Sequence, residues 1–565
     1  MLRVNGLRRA RPPPGARWRS SHASGPRKPA KESAKETAKE PPTRKPSLLE
    51  RIAASERKRV AKYEISDKWN YNRISFSDAV PEEQLKYPTV TAAELVNAKV
   101  PPRKVKMLVR DFIEDSLYNP HYGYFPNQAA ILDTRNQPFA FNKMRNLAEF
   151  QERIAEKYLE YGKEEPGTPG RQLWHTPTEL FRPWYGQALA RCLSAEYLLK
   201  YFPYDDFNLY EIGAGNGTLA KDILDYLRDV YPAVYERTRY NIVEISGNLA
   251  ELQKRRLKDH DCVKIHNKSV FQWDTHDPAP CFFIATEVVD NFAHDAIRWD
   301  LQTMKPYQEL VTIDHEGEFD SIFTPITDPL IKDYLRLREY LDHPPPVNRL
   351  LRASELLRRA FVNLPLAPNM SQVEYIPTRL LSLIRTLRNY FPRHRLLLSD
   401  FSELPDAIPG INAPVVQMRW EGASIATSTL LVKHGYFDIF FPTNFEVLRD
   451  MYEYTLAQPP ALSHSTSDGG LEGAGLRASP LSGVSTPLSL APDFFSPSGD
   501  STVRRGRRAP LDGVVSATGL PVGEHKSQVF THAEFLETYA ELSKTRMRNG
   551  ENAMLEFYGN VKFLF

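Results

Sequence analysis

One stretch, Tyr210-Glu211-Ile212-Gly213-Ala214-Gly215-Asn216-Gly217-Thr218-Leu219, constrains this chain more than any other. It reads as an apolar strand closing on an acid, then a glycine turn, then the start of a helix. Glycines at alternate positions let the backbone take left-handed dihedrals and approach another molecule closely. The helix that follows offers its N-terminus to that molecule. Open α/β folds hold adenosine-containing cofactors in this way, although the same glycine spacing also occurs in tight turns that hold nothing.

The turn departs from the dinucleotide fingerprint, which places a third glycine three residues after the second. Thr218 stands there instead, and the glycines fall as G-x-G-x-G with Glu211 two residues before the first. That version suits S-adenosylmethionine, with Glu211, Gly213, Gly215, Gly217 and Thr218 around its methionine end. Ile242-Val243-Glu244 closes a second strand 27 residues after Gly217. A carboxylate at such a strand end can accept both ribose hydroxyl protons. Ser269-Val270 follows a third strand, where the adenine edge would lie. A fourth strand runs into Thr286-Glu287-Val288-Val289-Asp290. Glu287 and Asp290 stand where a transferred methyl group would be. Two carboxylates there can hold a guanidinium and remove its proton; they can equally cap the next helix or pair with a structural arginine.

Around these sites, strand and helix patterns alternate. Strands are expected at Asn208–Ile212, Tyr240–Ile245, Val263–His266, Cys281–Ala285 and Arg395–Asp400, with a last one at Val561–Phe565. Helices are expected over 104–118, where Val105, Leu108, Val109, Phe112 and Leu117 keep helical spacing, over Glu179–Tyr201, from Leu219 to Val230 and over Leu249–Leu257. The alternation predicts an α/β fold with a Rossmann-like, doubly wound, mostly parallel sheet. It carries a helical N-terminal part and a helical cap at about 330–392. The expected organisation is a leader over 1–22, a low-complexity linker over 23–87, and a domain over 88–458. A Ser/Pro/Gly-rich insertion over 459–525 follows, and 526–565 completes the domain.

Charge separates the ends from the body. Residues 1–62 hold 18 Lys/Arg and 5 Asp/Glu, a net of +13; the remaining 55 basic and 65 acidic residues give −10. The first 22 residues contain six arginines and no acid, a composition that fits mitochondrial import, or else a basic arm for nucleic acid. An acidic body argues against DNA and RNA as partners. No apolar run is long enough for a transmembrane helix. Cys192, Cys262 and Cys281 are too few and too scattered for a disulfide framework or a zinc site, and the histidines form no ligand pair, so no metal is implied. Two lookalikes read as structural: Asn119-Pro120-His121-Tyr122 as a turn, and Cys281 as a core residue. The Arg504-Arg505-Gly506-Arg507-Arg508 cluster reads as a solvated run. Nothing in the sequence fixes the oligomeric state.

Several blocks, in order, resemble the MidA-type mitochondrial methyltransferases, whose animal members assist assembly of respiratory complex I. They are Val90–Phe125, His175–Leu180, Glu211–Leu219, Val243-Glu244-Ile245-Ser246 with Leu249 and Gln253, Thr286–Asp290, and Gly435–Ile439 with Asn444-Phe445. The resemblance spans about residues 90–455 and 528–565. It implies a class I fold, S-adenosyl-L-methionine as cofactor, a matrix location, and a protein substrate methylated on arginine, such as a complex I subunit. Departures fall mainly on the substrate side: Gln172-Leu173-Trp174-His175 replaces Gly-Asp-Phe, Asp400-Phe401-Ser402 replaces Asp-Tyr-Gly, and Thr286 and Ala293 replace asparagine and proline. These departures leave open a second reading, an assembly factor that keeps the fold without catalysis.

Overall fold

Short apolar runs whose residues face alternate sides build the centre of the structure, a computed structural model describing residues 82–127, 129–131, 138–161, 172–365, 367–405, 407–420, 423–458 and 526–565. Strands β1 (Phe207–Ile212), β2 (Thr238–Val243), β3 (Val263–His266), β4 (Cys281–Thr286), β5 (His394–Phe401), β6 (Val529–Thr531) and β7 (Val561–Leu564) form a seven-stranded sheet. Its order is β6-β7-β5-β4-β1-β2-β3. From β5 to β3 all pairings are parallel; β7 runs antiparallel to both β5 and β6.

Because side chains alternate along a strand, this sheet feeds two cores. Phe207 and Leu209 of β1, Ile284 of β4 and Phe563 of β7 join one cluster. There they meet Leu193 of α2 (Trp184–Lys200), Ile223 of α3 (Thr218–Val230) and Leu536 of α8 (His532–Tyr539). Tyr210 and Ile212 of β1, Phe283 of β4 and Leu398 of β5 join the other. Its helical partners are Leu337 of α5 (Pro329–Tyr340), Ile384 of α6 (Thr378–Tyr390) and Leu448 of α7 (Phe445–Ala457). A mixed α/β layer structure with a largely parallel sheet follows directly.

Two helices differ from expectation. Within 104–118, Val105–Leu108 is a strand paired with Leu310–Ile313, and only α1 (Val109–Tyr118) is helical. Val105 and Met107 both turn inward, a period of two that the helical spacing of the longer run concealed. Glu179–Tyr201 is split: Pro177–Leu180 forms one turn, and α2 starts only after Pro183. Proline lacks the N–H that a continuous helix would use there. A five-stranded antiparallel sheet, adding Asp295–Trp299, Pro306–Ile313, Phe319–Pro325 and Glu374–Ile376 to Val105–Leu108, was not legible in advance. Nor was a three-stranded one, Val415–Trp420, Ala423–Ala426 and Asp438–Phe440. Both surround a third core containing Met107, Phe112, Val311 and Ile439.

Order is described from Glu82, where a one-turn helix places Gln84 against Thr312 and Asp320. Within 330–392, α6 packs on the parallel sheet, while the short helices Arg349–Ala353 and Glu355–Val362 bury no residue. Asn119 to Tyr122 forms a turn and Cys281 is buried at 1% exposure, as the sequence suggested. The leader, the linker up to residue 81 and the 459–525 insertion with its Arg504–Arg508 cluster lie outside the described residues.

Candidate active site

Parallel pairing brings the predicted residues to one edge. Strand register aligns Ile212 with Val243 and Ala285, Val243 with His266, and Thr286 with Ser399. Immediately past those positions stand Gly213, Glu244, Asn267, Glu287 and Asp400, from five adjacent strands. Backbone bonds continue into this row: Gly213 N–H donates to Val243 (3.0 Å), Glu244 N–H to His266 (3.0 Å) and Glu287 N–H to Ser399 (2.8 Å).

The glycine turn has the conformation its sequence implied. Gly213, Gly215 and Gly217 take φ of 67°, 52° and 75°. A Cβ on Gly213 would come within 3.0 Å of Val288 Cγ2, and one on Gly217 within 3.3 Å of Gln253 Cγ. Gly213 is exposed and Gly215 partly so. The amides of Ala214 and Gly215 bond to none of the described residues. Side chains hold the turn from below. Gln253 of α4 (Gly247–Arg256) donates both to Gly215 O (2.9 Å) and to Glu244 Oε2 (3.0 Å). Glu244 Oε1 accepts from Ser246 N–H at 2.9 Å. Glu211 lies 2% exposed and accepts from the Tyr240 hydroxyl at 2.8 Å. Burial pushes its carboxyl up to about 7, partly opposed by the Tyr240 bond. Burial also raises Glu244, against the Ser246 and Gln253 bonds.

Thr218, expected beside the cofactor, is engaged within the protein. Its hydroxyl donates to Glu179 Oε1 (2.6 Å) and accepts from Arg256 (2.5 Å). Asn216 also donates to Glu179 Oε1, at 3.2 Å. Ser269 caps the turn Val270–Gln272 through Phe271 N–H, and Val270 is buried. Both sit past β3, two strands from the glycine turn.

The other half of the edge is different in kind. Asp400, at 0% exposure, accepts through Oδ2 from the consecutive amides of Val288, Val289 and Asp290 (3.2, 2.9 and 3.1 Å), and through Oδ1 from Phe401 N–H. It therefore caps the tight turn Val289–Asn291. Asp290 Oδ1 accepts from Asn291 N–H, and Asn291 Nδ2 donates to buried Asp438 at 3.0 Å. Glu287 takes φ +53°, a left-handed conformation that costs a non-glycine residue about 1–2 kcal/mol. Its carboxylate hydrogen-bonds to no described residue. Burial raises Glu287 and Asp290 well above the usual carboxylate range, and Asp400 adds to both. Asp400 and Asp438 are each pushed by burial up to about 7. Among the described residues no cation pairs with this group. Arg379 pairs with Glu114, and Arg110 with Asp295 and Asp328.

Sequence reasoning missed four residues that shape the edge. Gln253, Glu179 and Asp400 were noted only as parts of larger blocks. Tyr185 of α2 carried no signal, yet its buried hydroxyl lies within electrostatic reach of Glu287 and Asp400. The site fits an adenosine-bearing sulfonium compound: accessible left-handed glycines, unbonded turn amides, a carboxylate at the β2 end, and acids past β4.

A family model described as "Putative S-adenosyl-L-methionine-dependent methyltransferase" matches residues 188–460, which include β1 to β5. A curated relative, "Protein arginine methyltransferase NDUFAF7 homolog, mitochondrial" of Schizosaccharomyces pombe, is 27% identical over 326 residues, 56% of this chain and 67% of that protein. Among solved structures, a "likely methyl transferase" from Burkholderia thailandensis bound to S-adenosyl-homocysteine is 17% identical. It covers 64% of this chain and 74% of its own, with a TM-score of 0.39. An "uncharacterized ACR, COG1565 superfamily protein" from Burkholderia thailandensis is 16% identical over the same shares, with a TM-score of 0.36.

Proposed function

We propose that this chain, a member of the MidA-type family of S-adenosylmethionine-dependent methyltransferases, methylates an arginine side chain of a mitochondrial protein. One observation supports the arginine reading most: half-buried Glu287 and buried Asp290, in an acidic turn that no described cation neutralises, stand beside the glycine turn. The Schizosaccharomyces pombe relative, named as a mitochondrial arginine methyltransferase, is consistent with this. The substrate we favour is a respiratory complex I subunit, in the matrix, and residues 1–22 would serve as the import leader.

Helices on both sheet faces, and a chain that steps from β1 out to β3 before returning to β4, support a Rossmann-like, doubly wound reading. Ligands in such folds sit at the switch between β1 and β4. In this reading 88–458 and 526–565 form the catalytic domain and 459–525 interrupts it. Bound S-adenosylmethionine supplies an activated methyl group on a sulfonium. Glu211 and the Gly213–Gly217 turn, through its unbonded Ala214 and Gly215 amides, would hold its methionine end, Glu244 its ribose, and Ser269-Val270 would border its adenine. Glu287 and Asp290 grip the acceptor guanidinium with paired, charge-assisted bonds and take its proton. Both carboxyls are raised well above the usual carboxylate range, chiefly by burial, and a more basic carboxylate is the better proton acceptor. Methyl-peptide mass spectrometry of mitochondria with and without the protein tests the reading. Loss of one or a few arginine methylation sites is expected; an unchanged arginine methylome, with no S-adenosylmethionine binding by the purified chain, would overturn it.

A further inference from the structure

The short helices Arg349–Ala353 and Glu355–Val362 form a hairpin whose apolar side is turned outward. In the second helix, at 3.6 residues per turn, Leu356, Ala360 and Leu357 share one arc, with Arg359 at its border. That arc meets solvent: Leu356 is 77% exposed and Leu357 45%. Phe361, Arg358 and Val362 lie on the opposite side and are only half-buried. Leu350 on the first helix is 65% exposed, and Leu364 just past the second is 56% exposed. The leucines are held in this position. Arg358 donates to Gln302 O (3.2 Å), Leu351 O (2.9 Å) and Arg352 O (3.3 Å), which ties the second helix to the first and to the body. Asn348 and Ser354 cap the two helices. A fixed cluster of exposed leucines with a polar rim marks an interaction surface.

Charge indicates what this surface meets. From His343 to Val373 the chain holds four arginines, Arg349, Arg352, Arg358 and Arg359, and one acid, Glu355. That is a net of +3, on a body whose residues 63–565 total −10. Arg349 is exposed and pairs with no described residue; Arg359 is exposed and pairs with Glu355 at 2.6 Å. Neither helix buries a residue, so the surface is a ridge and offers no groove to a partner's helix. We infer that this ridge docks on an anionic lipid surface. The leucines would enter the boundary between headgroups and acyl chains, and the guanidiniums would meet the phosphates. Arginine stems can lie along the leucines while their heads reach outward. No described helix is long and apolar enough to cross a membrane, so the contact is peripheral. A second copy of the chain is a poorer partner, because a two-fold contact would set one positive ridge against the other.

Hydrogen–deuterium exchange of the full chain with lipid vesicles tests this locally, which matters because the basic residues 1–62 would also attract anionic lipid. Phosphatidylcholine–phosphatidylglycerol vesicles should slow exchange across Arg349–Leu364 by about tenfold or more, and pure phosphatidylcholine vesicles by less than about threefold. Leu350→Gln with Leu356→Gln, and separately Arg349→Gln with Arg359→Gln, should each abolish that slowing, while S-adenosylmethionine binding persists as a control for folding. Four results would overturn the assignment. Vesicles could protect other residues and leave Arg349–Leu364 unchanged, neutral vesicles could protect the ridge equally, or the slowing could survive both variants. The fourth is a ridge already protected in the free chain and released by the leucine variant, which would mean that another part of the chain, or a second copy, covers it.

Discussion

The two halves of the ligand edge treat carboxylates in opposite ways. Around the glycine turn each of these acids has a designated partner: Glu211 has Tyr240, Glu244 has Ser246 and Gln253, and Glu179 has Thr218 and Asn216. Past β4 and β5, burial raises Glu287, Asp290, Asp400 and Asp438, the nearby acids add to Glu287 and Asp290, and the group receives only amide donors and one asparagine. Buried like charges are tolerated when they neutralise or when a cation arrives. The first half is thus assembled in advance for its ligand. Under the proposed function, the second holds unspent electrostatic attraction for a cationic acceptor.

Breaking the acidic half should give the largest effect. Glu287→Gln with Asp290→Asn should lower methyl transfer to an arginine peptide by about 10²–10⁴-fold, the usual worth of positioned acid–base groups. Radiolabelled methyl incorporation reads it directly. Gly213→Val attacks the other half, forcing a β-branched residue into φ +67° against Val288. At about 2–3 kcal/mol of strain, S-adenosylmethionine should bind roughly 30- to 100-fold more weakly. Gln253→Leu should cost less, about tenfold in that affinity, because it removes two donors and leaves Glu244 under-satisfied.

The smallest effect concerns pH. A carboxyl raised in the folded state stabilises most below its ordinary value near 4, and this advantage is lost as pH climbs through the folded value. For Asp400 and Asp438 that window runs from near 4 to about 7. Melting temperature should therefore fall between pH 4 and pH 8. Asp438→Asn keeps an acceptor for Asn291 but removes the charge, and should shrink the fall by roughly 2 °C or more. Differential scanning fluorimetry across that range would show it, and an identical slope in the variant would argue against a carboxyl raised by burial at Asp438.

The difference between the halves also decided what the sequence could reveal. Glu211, the glycines and Glu244 are close along the chain, and local rules for strands, turns and helix starts place them. Asp400 caps a turn 110 residues before it, and Asp438 meets Asn291 across 147 residues. Both acids stand in recognisable blocks, yet only the folded chain shows that they crowd Asp290. Tyr185 sits in a helix whose apolar residues surround it, so its hydroxyl left no pattern. The antiparallel sheet was hidden because Phe319–Pro325 is only partly buried along most of its length, which blurs alternation. At Thr218 the fold adds what local rules could not show: Glu179, 39 residues earlier, accepts its hydroxyl.

Calorimetric titration of S-adenosylmethionine into the wild-type chain and into the Glu287→Gln/Asp290→Asn variant, side by side, tests the division most directly. Separate halves predict dissociation constants equal within about threefold, less than one hydrogen bond's worth, although the variant no longer transfers the methyl group. A loss of cofactor affinity of about tenfold or more would contradict the account, because the acidic turn would then belong to the cofactor site itself.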